Sequence, residues 1–470
     1  MDSPLLSRIC QVNADEFECR GIKQVRYYHE RLIQIPIAMS LVLSAFLYLV
    51  LTCLALWLLY FRLGRKRLYE LAAKIPGPKG LPIIGHAHLM LDNFHNIFIN
   101  IYTLTTILKE GSPLKIWIGP RLLVFLTDPR DAEIIFSSHV HIDKAPEYKL
   151  FEPWLGDGLL ISTETVMGVD KKTQAASSSG YAEAVIKMCE ILHLRHTRFW
   201  LRPDFLFKLT HYAKDQLKYL DFIHKVSENV IAEKKALFQR KNKIPTDPNT
   251  KLTEVEEAAQ QKTETEMTNV DKDSYFNQSL KLEEDLNSDN EKVVEELESI
   301  FGDSDRAITF EDTLEMKYTE RCILETLRLY PPVPLAGREI QEEVELSSEK
   351  VTLPAKCTVI VGVFRLHRLP TIYPNPDEFN PDHFLPEVSS ARHYYAYTPF
   401  GAGPRSCVGR KYAMLKLKIV LATVLRNFKV SSSTKEHEWP LQADIILKRS
   451  DGFPISLTPR VMRSKASKAS

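Results

Sequence analysis

The chain has 470 residues, of which 44% are hydrophobic, and its formal net charge is +1. This length accommodates one large domain or two ordinary ones, and the near-neutral charge gives no reason to expect a nucleic-acid partner. Its seven cysteines show no C-x-x-C or cysteine–histidine finger spacing. The sequence therefore indicates neither a disulfide scaffold nor a zinc module.

The N-terminal region predicts a single membrane anchor. Residues 1–34 are mixed and charged, and they are too polar for the start of a cleaved signal peptide. Residues 35–61 contain no charged side chain, and such a run is long enough to cross a bilayer. The cations Arg62 and Arg65 follow directly, so the positive-inside rule puts residues 1–34 in the lumen and the rest in the cytosol. A buried core helix is the alternative for the apolar run.

The remainder of the chain predicts one main domain joined to the anchor by a linker. Residues 62–85 are basic and proline-rich, which is typical of a stiff linker, and residues 86–460 form the predicted domain. Alternating apolar residues with turn signals predict β-hairpins at 114–127, 351–363 and 445–458.

Two polar segments interrupt or end this domain. Residues 242–290 are charged and nearly without apolar periodicity, which predicts solvated helix or disorder. Order resumes at Asp289, predicted as the N-cap of a helix that ends at Gly302. Residues 461–470 are rich in serine and lysine and are expected to form a flexible tail.

The helix predicted from Met316 to Tyr330 carries an acidic and a basic side chain on one face. Glu325 and Arg328 are one turn apart, and such a pair is ordinarily a solvent-exposed ion pair on the protein surface. Leucine and isoleucine neighbours surround this one, which indicates a buried pair whose polar atoms must all be hydrogen-bonded.

The glycine-rich segment from Tyr397 to Ala413 presents a single cysteine, Cys407, followed by an apolar periodic run. It predicts a loop that opens into a buried helix, whose N-terminus favours a thiolate over a thiol. A buried inert cysteine is the alternative. A soft thiolate beside a cation suits a haem iron that carries propionates. Further candidates that let a flat ligand approach, shield the sulfur or offer a cation are Gly401, Gly403, Gly409, Phe400 and Arg405.

The pattern F-x-x-G-x-R-x-C-x-G that ends at Gly409 resembles the axial-ligand signature of the cytochrome P-450 family. The resemblance implies a mainly α fold with small β-hairpins and sheets, preceded here by one transmembrane helix. It implies haem as the cofactor, with Cys407 as the metal ligand and Arg405 and Arg338 near the propionates. By the same resemblance, Glu325 and Arg328 brace the core of a haem-thiolate domain spanning residues 86–460.

The segment from Asn375 to Phe384 resembles the meander region of the same family. The arginine that is common there is replaced by His383. Members of animal family 4, the fatty-acid-hydroxylase type, also usually depart from arginine at this position. The replacement therefore favours that branch.

The resemblance implies a haem-dependent monooxygenase of the endoplasmic reticulum membrane, single-pass, with a cytosolic catalytic domain. It would insert one oxygen atom of O2 into a small hydrophobic substrate, fatty-acid-like or xenobiotic, with electrons from an NADPH-dependent flavoprotein reductase. The cations near the ligand loop either attract this acidic partner or are ordinary solvated charges: Arg410, Lys411, Lys416 and Lys418.

Two features of the family are missing from the sequence. Between Leu237 and Glu325 there is no apolar helix with an acid–alcohol pair for delivering protons to dioxygen, and no W-x-x-x-R helix follows Thr163. The expected fold is therefore incomplete, without two internal segments, and no catalytic residue is identifiable. The alternative function is a catalytically inactive, membrane-anchored haem-thiolate relative or a splice-truncated isoform. A structural membrane-tethered module is a third possibility.

Overall fold

The structure is a computed structural model that describes residues 43–90, 94–107, 110–155, 179–243, 285–432, 440–443, 446–450, 452 and 454–460. The predicted luminal segment 1–34, the start of the 35–61 anchor, residues 244–284 and the 461–470 tail lie outside the described residues. The chain divides into two units, Met1–Glu70 and Leu71–Ser470.

Most of the described chain is helical. In the described ranges, the helices are α1 (Leu43–Gly64), α2 (Lys66–Lys74), α3 (Phe94–Ile107), α4 (Pro129–Phe136), α5 (Glu152–Leu155), α6 (Ser179–Thr197), α7 (Asp204–Phe207), α8 (His211–Lys243), α9 (Asp285–Phe301), α10 (Phe310–Glu315), α11 (Lys317–Leu329), α12 (Val363–Leu366), α13 (Pro386–Ala391) and α14 (Arg410–Asn427). Short 3-10 helices include Pro381–Phe384 and Gly403–Arg405.

The strands are short and form small sheets, as the resemblance implies. They are β1 (Leu114–Ile118), β2 (Arg121–Leu126), β3 (Ala336–Glu339), β4 (Val344–Glu345), β5 (Thr352–Leu353), β6 (Thr358–Val361), β7 (Phe428–Ser432), β8 (Leu441–Ala443), β9 (Leu447–Arg449) and β10 (Ile455–Pro459).

Helix α1 is the candidate membrane anchor. It has 22 residues and is long and apolar enough to cross a membrane by length and composition. Its described part runs from Leu43 to Gly64, three residues beyond the predicted end at residue 61, because the helix continues past the first charged side chain, Arg62. Helix α2 follows, so the basic part of the predicted 62–85 linker is helical.

The proline-rich part of the predicted linker lies against the main sheet. The Pro76 carbonyl accepts the Lys115 amide at 2.9 Å, and Gly85 bridges to Ile118. A Cβ on Gly77 would lie 2.5 Å from the Lys115 carbonyl oxygen. Close backbone approach therefore requires glycine at position 77.

The main sheet has the strand order β1-β2-β6-β3. Strands β1 and β2 form the hairpin predicted for residues 114–127, with Gly119 at φ +57° in the turn. Strand β6 runs parallel to β2 and antiparallel to β3, so Arg338 of β3 lies opposite Val359. The sheet thereby fixes the position of one predicted haem-contacting arginine.

Two of the predicted hairpins are wrong. Within 351–363, β5 pairs with β4 while β6 joins the main sheet. Within 445–458, β9 pairs with β8 and β10 pairs with β7. Turn residues mark where strands end, but partners distant in sequence decide which strands pair.

Helices α9, α11 and α14 share one apolar core. Its buried members include Val293, Leu297, Phe301, Ile323, Leu327, Leu421, Ala422 and Leu425. The Glu296 carboxylate of α9 also accepts the backbone amides of Tyr318 and Thr319 at 2.6 and 2.9 Å. It satisfies donors that the first turn of α11 leaves free.

The start of α9 corrects the prediction for Asp289. The helix begins at Asp285, so Asp289 is an interior residue, and residues 285–290 of the predicted disordered segment are helical. The Tyr318 hydroxyl donates to the Asp289 carboxylate at 2.6 Å. The Asp289 carboxylate is therefore engaged by α11 and does not cap its own helix. Gly302, at φ +55°, follows the last helical residue as predicted.

Candidate functional site around Cys407

The Glu325–Arg328 pair lies on α11, and both side chains have no exposed area. Arg328 Nε and Nη2 donate to the two carboxylate oxygens of Glu325 at 2.7 and 2.8 Å. The remaining guanidinium donors reach the carbonyl oxygens of His367, Pro376 and Glu378 at 2.6–3.0 Å. The pair is therefore a fully hydrogen-bonded element of the core, and it differs from the surface pairs that this spacing ordinarily produces.

Glu325 also receives hydrogen bonds from the segment that resembles the meander. The Asn380 amide donates to Glu325 Oε1 at 2.8 Å, and His383 Nδ1 lies 3.2 Å from the same atom. Burial alone raises the pKa of the Glu325 carboxyl, but the hydrogen bonds from Arg328, His383 and Asn380 together hold it below its usual range. The histidine thus occupies a position where a cation or a neutral donor stabilises the carboxylate.

The cysteine loop is shaped by its glycines. Gly401 and Gly403 adopt φ +67° and +69°, and a Cβ on Gly403 would lie 1.8 Å from the Phe136 carbonyl oxygen. Both positions therefore require glycine. A Cβ on Gly409 would meet the Cys407 sulfur at an ordinary 3.8 Å, so the backbone does not demand glycine there.

Cys407 itself lies three residues before the start of α14. Its amide donates to the Phe400 carbonyl at 2.8 Å, which closes the loop. The Phe400 side chain packs against the apolar core shared by α9, α11 and α14. The cysteine is exposed, so the alternative of a buried inert cysteine does not hold for this residue.

The start of α14 is open, which corrects the prediction of a buried helix. Val408 is 80% exposed and Tyr412 is 40% exposed. The fully buried face begins further along, at Lys418 and Leu421. The apolar periodicity identified the helix, but the first turns around Cys407 are not covered by the described residues.

Three cations come together near this loop. Arg338 is 6% exposed, and its Nη1 donates to the Gly337 carbonyl at 3.0 Å. Burial lowers the pKa of Arg338, and the charge of Arg405 lowers it further. The pKa of Lys144 is lowered by partial desolvation and by the charges of Arg405 and Arg338. Like charges are held close here at a cost, which an anionic ligand would relieve.

Lys144 is the residue that sequence reasoning missed. It forms an isolated antiparallel bridge with Arg338, and the Glu339 amide donates to the Asp143 carbonyl at 3.0 Å. These contacts join segments almost 200 residues apart. A lone lysine between the anchor and α5 carries no local signal that would reveal them.

The residues present fit an iron porphyrin. An exposed cysteine at a helix start offers a soft ligand for iron, and the cations beside it match the two propionates of haem. The left-handed backbone of Gly401 and Gly403 shapes the loop, and the Cβ position of Gly403 faces the Phe136 carbonyl of α4. The structure brings the predicted site residues to one region: Cys407, Arg405, Arg338, Phe400, Gly401, Gly403 and Gly409.

The four cations predicted to face a redox partner do not share one environment. Arg410 and Lys411 are exposed, and Lys416 is half-buried. Lys418 is buried, and its Nζ donates to the Thr313 carbonyl and the Glu320 carboxylate, each at 2.7 Å. Lys418 is therefore a core residue that joins α14 to α10 and α11, and its prediction as a surface charge is wrong.

The family's two missing features also do not occur in the part of the chain that the structure describes. Trp117 and Arg121, which have the W-x-x-x-R spacing, lie in strands β1 and β2. Arg121 donates to Glu147 at 2.6 Å and to Thr358 at 3.1 Å. The segment after Thr163 and residues 244–284 lie outside the described residues.

Comparisons with known proteins agree with this site. Residues 289–455 match the family model for cytochrome P450. Cytochrome P450 4g15 of Drosophila melanogaster is 39% identical over 567 aligned positions, which cover 89% of this chain and 97% of that protein. Human cytochrome P450 4V2 is 30% identical, with 81% of this chain and 89% of that protein covered. The crystal structure of the cytochrome P450DA heme domain has a TM-score of 0.59 at 18% identity, covering 82% of this chain and 98% of that chain.

The mainly helical fold with its small sheets and its cysteine loop before α14 defines a cytochrome P450 haem domain. The chain belongs to the cytochrome P450 family, and its relatives assign it to animal family 4. It is a haem monooxygenase by family, with a redox partner and a hydrophobic substrate implied in general terms.

The alignment lengths bear on the missing segments. Since 89% of 470 residues is about 418, about 150 of the 567 positions aligned with P450 4g15 have no residue of this chain opposite them. Since 81% of 470 residues is about 381, about 90 of the 470 positions aligned with human P450 4V2 likewise have no residue of this chain opposite them.

Proposed function

We propose that Cys407 supplies the axial thiolate of a haem iron and that Arg338, Arg405 and Lys144 hold the haem propionates. The observation that carries this proposal is the convergence of three mutually repelling cations beside an exposed cysteine at a helix start. The haem, when bound, supplies the oxygen-activating chemistry. The protein's own residues bind and orient it, and Glu325 with Arg328 holds the segment beneath the loop in place.

The reaction that we assign is the oxygenation of a fatty-acid-like or xenobiotic substrate RH. One atom of O2 enters the product ROH, and the other takes up two protons and leaves as water, with two electrons taken from NADPH through a flavoprotein reductase. The exposed cations Arg410 and Lys411 would attract an acidic surface of this partner. Helix α1 would hold the protein in the endoplasmic reticulum membrane as a single-pass protein, with the haem domain in the cytosol.

A second candidate is a haem-thiolate protein that cannot turn over. The observation that favours it is the gap of about 150 aligned positions, together with the absence of an acid–alcohol helix from the described residues. Such a protein would keep Cys407 as ligand but would lack the group that delivers protons to bound dioxygen.

A reduced carbon-monoxide difference spectrum with NADPH-driven turnover separates these functions. The full chain is purified with its anchor, and Cys407→Ser serves as the control for the ligand. A thiolate-type Soret shift with substrate-dependent NADPH oxidation supports the monooxygenase. The shift without turnover supports the second candidate, and haem content unchanged in Cys407→Ser would overturn both.

A further inference from the structure

We infer that His367 is a positioning residue that couples the buried Glu325–Arg328 pair to the loop carrying Cys407. The inference rests on the proposed role of Cys407 and deepens it. His367 follows the short helix α12 and has no exposed area. It lies 40 residues before the cysteine in the sequence, but its ring lies between the end of α11 and the start of the loop.

The two ring nitrogens of His367 face different segments. Nε2 lies 2.8 Å from the Thr398 amide nitrogen, and Nδ1 lies 3.2 Å from the Arg328 carbonyl oxygen. A backbone amide can only donate, so Nε2 must be the unprotonated acceptor. Nδ1 then carries the proton and donates to Arg328. The surroundings therefore select one tautomer and one ring orientation.

The contact with Arg328 runs in both directions. Arg328 Nη1 donates to the His367 carbonyl at 3.0 Å, while the histidine ring donates to the Arg328 carbonyl. The same guanidinium is held by Glu325. His367 is thus fixed to the ion pair at both its backbone and its side chain, which leaves its Nε2 at a defined position.

The Thr398 end of this contact leads directly to the ligand loop. The Thr398 carbonyl accepts the Gly401 amide at 3.0 Å, and the Phe400 carbonyl accepts the Cys407 amide at 2.8 Å. Next to Thr398, the Tyr397 ring stacks on His367 with centroids 5.1 Å apart, and its hydroxyl donates to the Leu324 carbonyl at 2.8 Å. Two side-chain hydrogen bonds therefore fix the backbone where the loop begins: one joins His367 to the Thr398 amide, and the other joins Tyr397 to the Leu324 carbonyl.

Burial lowers the pKa of His367 to about 3, and the charge of Arg328 acts in the same direction. The ring is therefore neutral above about pH 3. Its role is geometric: it accepts from Thr398 with a fixed tautomer and does not act as a proton switch.

The test uses amide hydrogen exchange of the Thr398 segment in the full-length protein. His367→Gln keeps an acceptor at the place of Nε2, whereas His367→Asn keeps a donor at the place of Nδ1 and loses the contact with Thr398. His367→Leu removes both. The matched control is His86→Leu, because His86 is also buried and its Nδ1 accepts a backbone amide, that of Trp117, at 3.0 Å.

We expect exchange at Thr398 to rise about tenfold in the Asn and Leu variants, as the loss of one buried hydrogen bond implies. In His367→Gln it stays near the native rate, and in His86→Leu it is unchanged. The reduced carbon-monoxide spectrum should lose thiolate-type intensity in the same order. If the Leu variant does not fold, the Asn and Gln pair decides the question.

Equal exchange at Thr398 in the Asn and Gln variants would overturn the inference, as would an equal rise in His86→Leu. Failure of the proposed function has a different signature. A native chain without a thiolate-type spectrum would refute the role of Cys407, while the order of exchange rates at Thr398, measured on the same protein, would still report whether His367 holds the loop.

Discussion

Two arginines of the haem domain, both buried, have opposite surroundings. Arg328 meets a carboxylate and three carbonyl oxygens, whereas Arg338 meets one carbonyl, the side chain of Tyr148 and the positive charges of Arg405 and Lys144. The guanidinium of Arg328 is satisfied by the protein itself, whereas the proposed function assigns Arg338 to an anion, the haem propionate. Burial of a charge alone therefore does not distinguish a structural residue from a ligand-binding one; the distinction lies in what satisfies it.

The comparison predicts opposite effects for matched substitutions. Arg328→Met should lower the free energy of unfolding by about 3–5 kcal/mol, because the Glu325 carboxylate is left buried without its partner. Urea unfolding of the full chain measures this. Arg130→Met is the control, since its pair with Asp128 leaves the arginine side chain 59% exposed and such pairs contribute about 0–1 kcal/mol. Equal losses in the two variants would contradict the distinction.

The second substitution, Arg338→Met, should leave the free energy of unfolding of the haem-free chain unchanged or slightly higher. Removing one of three like charges relieves repulsion, and methionine keeps the contact with the Phe136 ring. Haem affinity should fall about tenfold or more, as the loss of a charge-assisted hydrogen bond implies. Haem titration and urea unfolding give the two numbers. Arg121→Met, which removes an arginine paired to Glu147, should instead lower stability without a specific loss of haem affinity.

Local sequence patterns predict some of these site residues and miss others. The ion pair follows from the one-turn spacing of Glu325 and Arg328 and their apolar neighbours, and the proposed haem ligand follows from the motif ending at Gly409. Lys144 and the His367–Thr398 contact depend on pairing between distant segments, which no local pattern encodes. The same reason accounts for the wrong hairpins.

For Lys418 a local signal existed. Leu421 and Ala422 lie three and four residues further along α14, on the same face of the helix, and both are buried. That periodicity puts the lysine stem on the core side, where its ammonium reaches Glu320. The exposure of the first turn of α14 could not be predicted from periodicity, because the burial of Val408 depends on groups outside the helix.

A third prediction, with a smaller expected effect, concerns the ion pair of Asp312 and Arg306 at the start of α10. Asp312 is the N3 residue of a capping box with Thr309, and its carboxylate accepts from Arg306 at 2.5 and 2.7 Å. The hydrogen bond from Arg306 is the main cause that lowers the pKa of Asp312 to about 2, although partial burial opposes it. The folded pKa lies below the unfolded value, so the stabilisation is complete above about pH 4 and is lost as the pH falls through 2.

Asp312→Asn should therefore cost about 1 kcal/mol at pH 7, and the difference from the native chain should shrink as the pH is lowered from about 4 towards 2. Urea unfolding across this range, on the haem-free chain, measures the convergence. Asp221→Asn is the control, because Asp221 and its partner Lys225 are both more than 60% exposed, and a surface pair of this spacing contributes only about 0.3–0.5 kcal/mol. A pH-independent cost at Asp312 would mean that its packing, and not its charge, holds the start of α10. In that case the charge of Asp312 would not determine its contribution to stability, whereas charge is what we expect to matter for Glu325 and for the cations near Cys407.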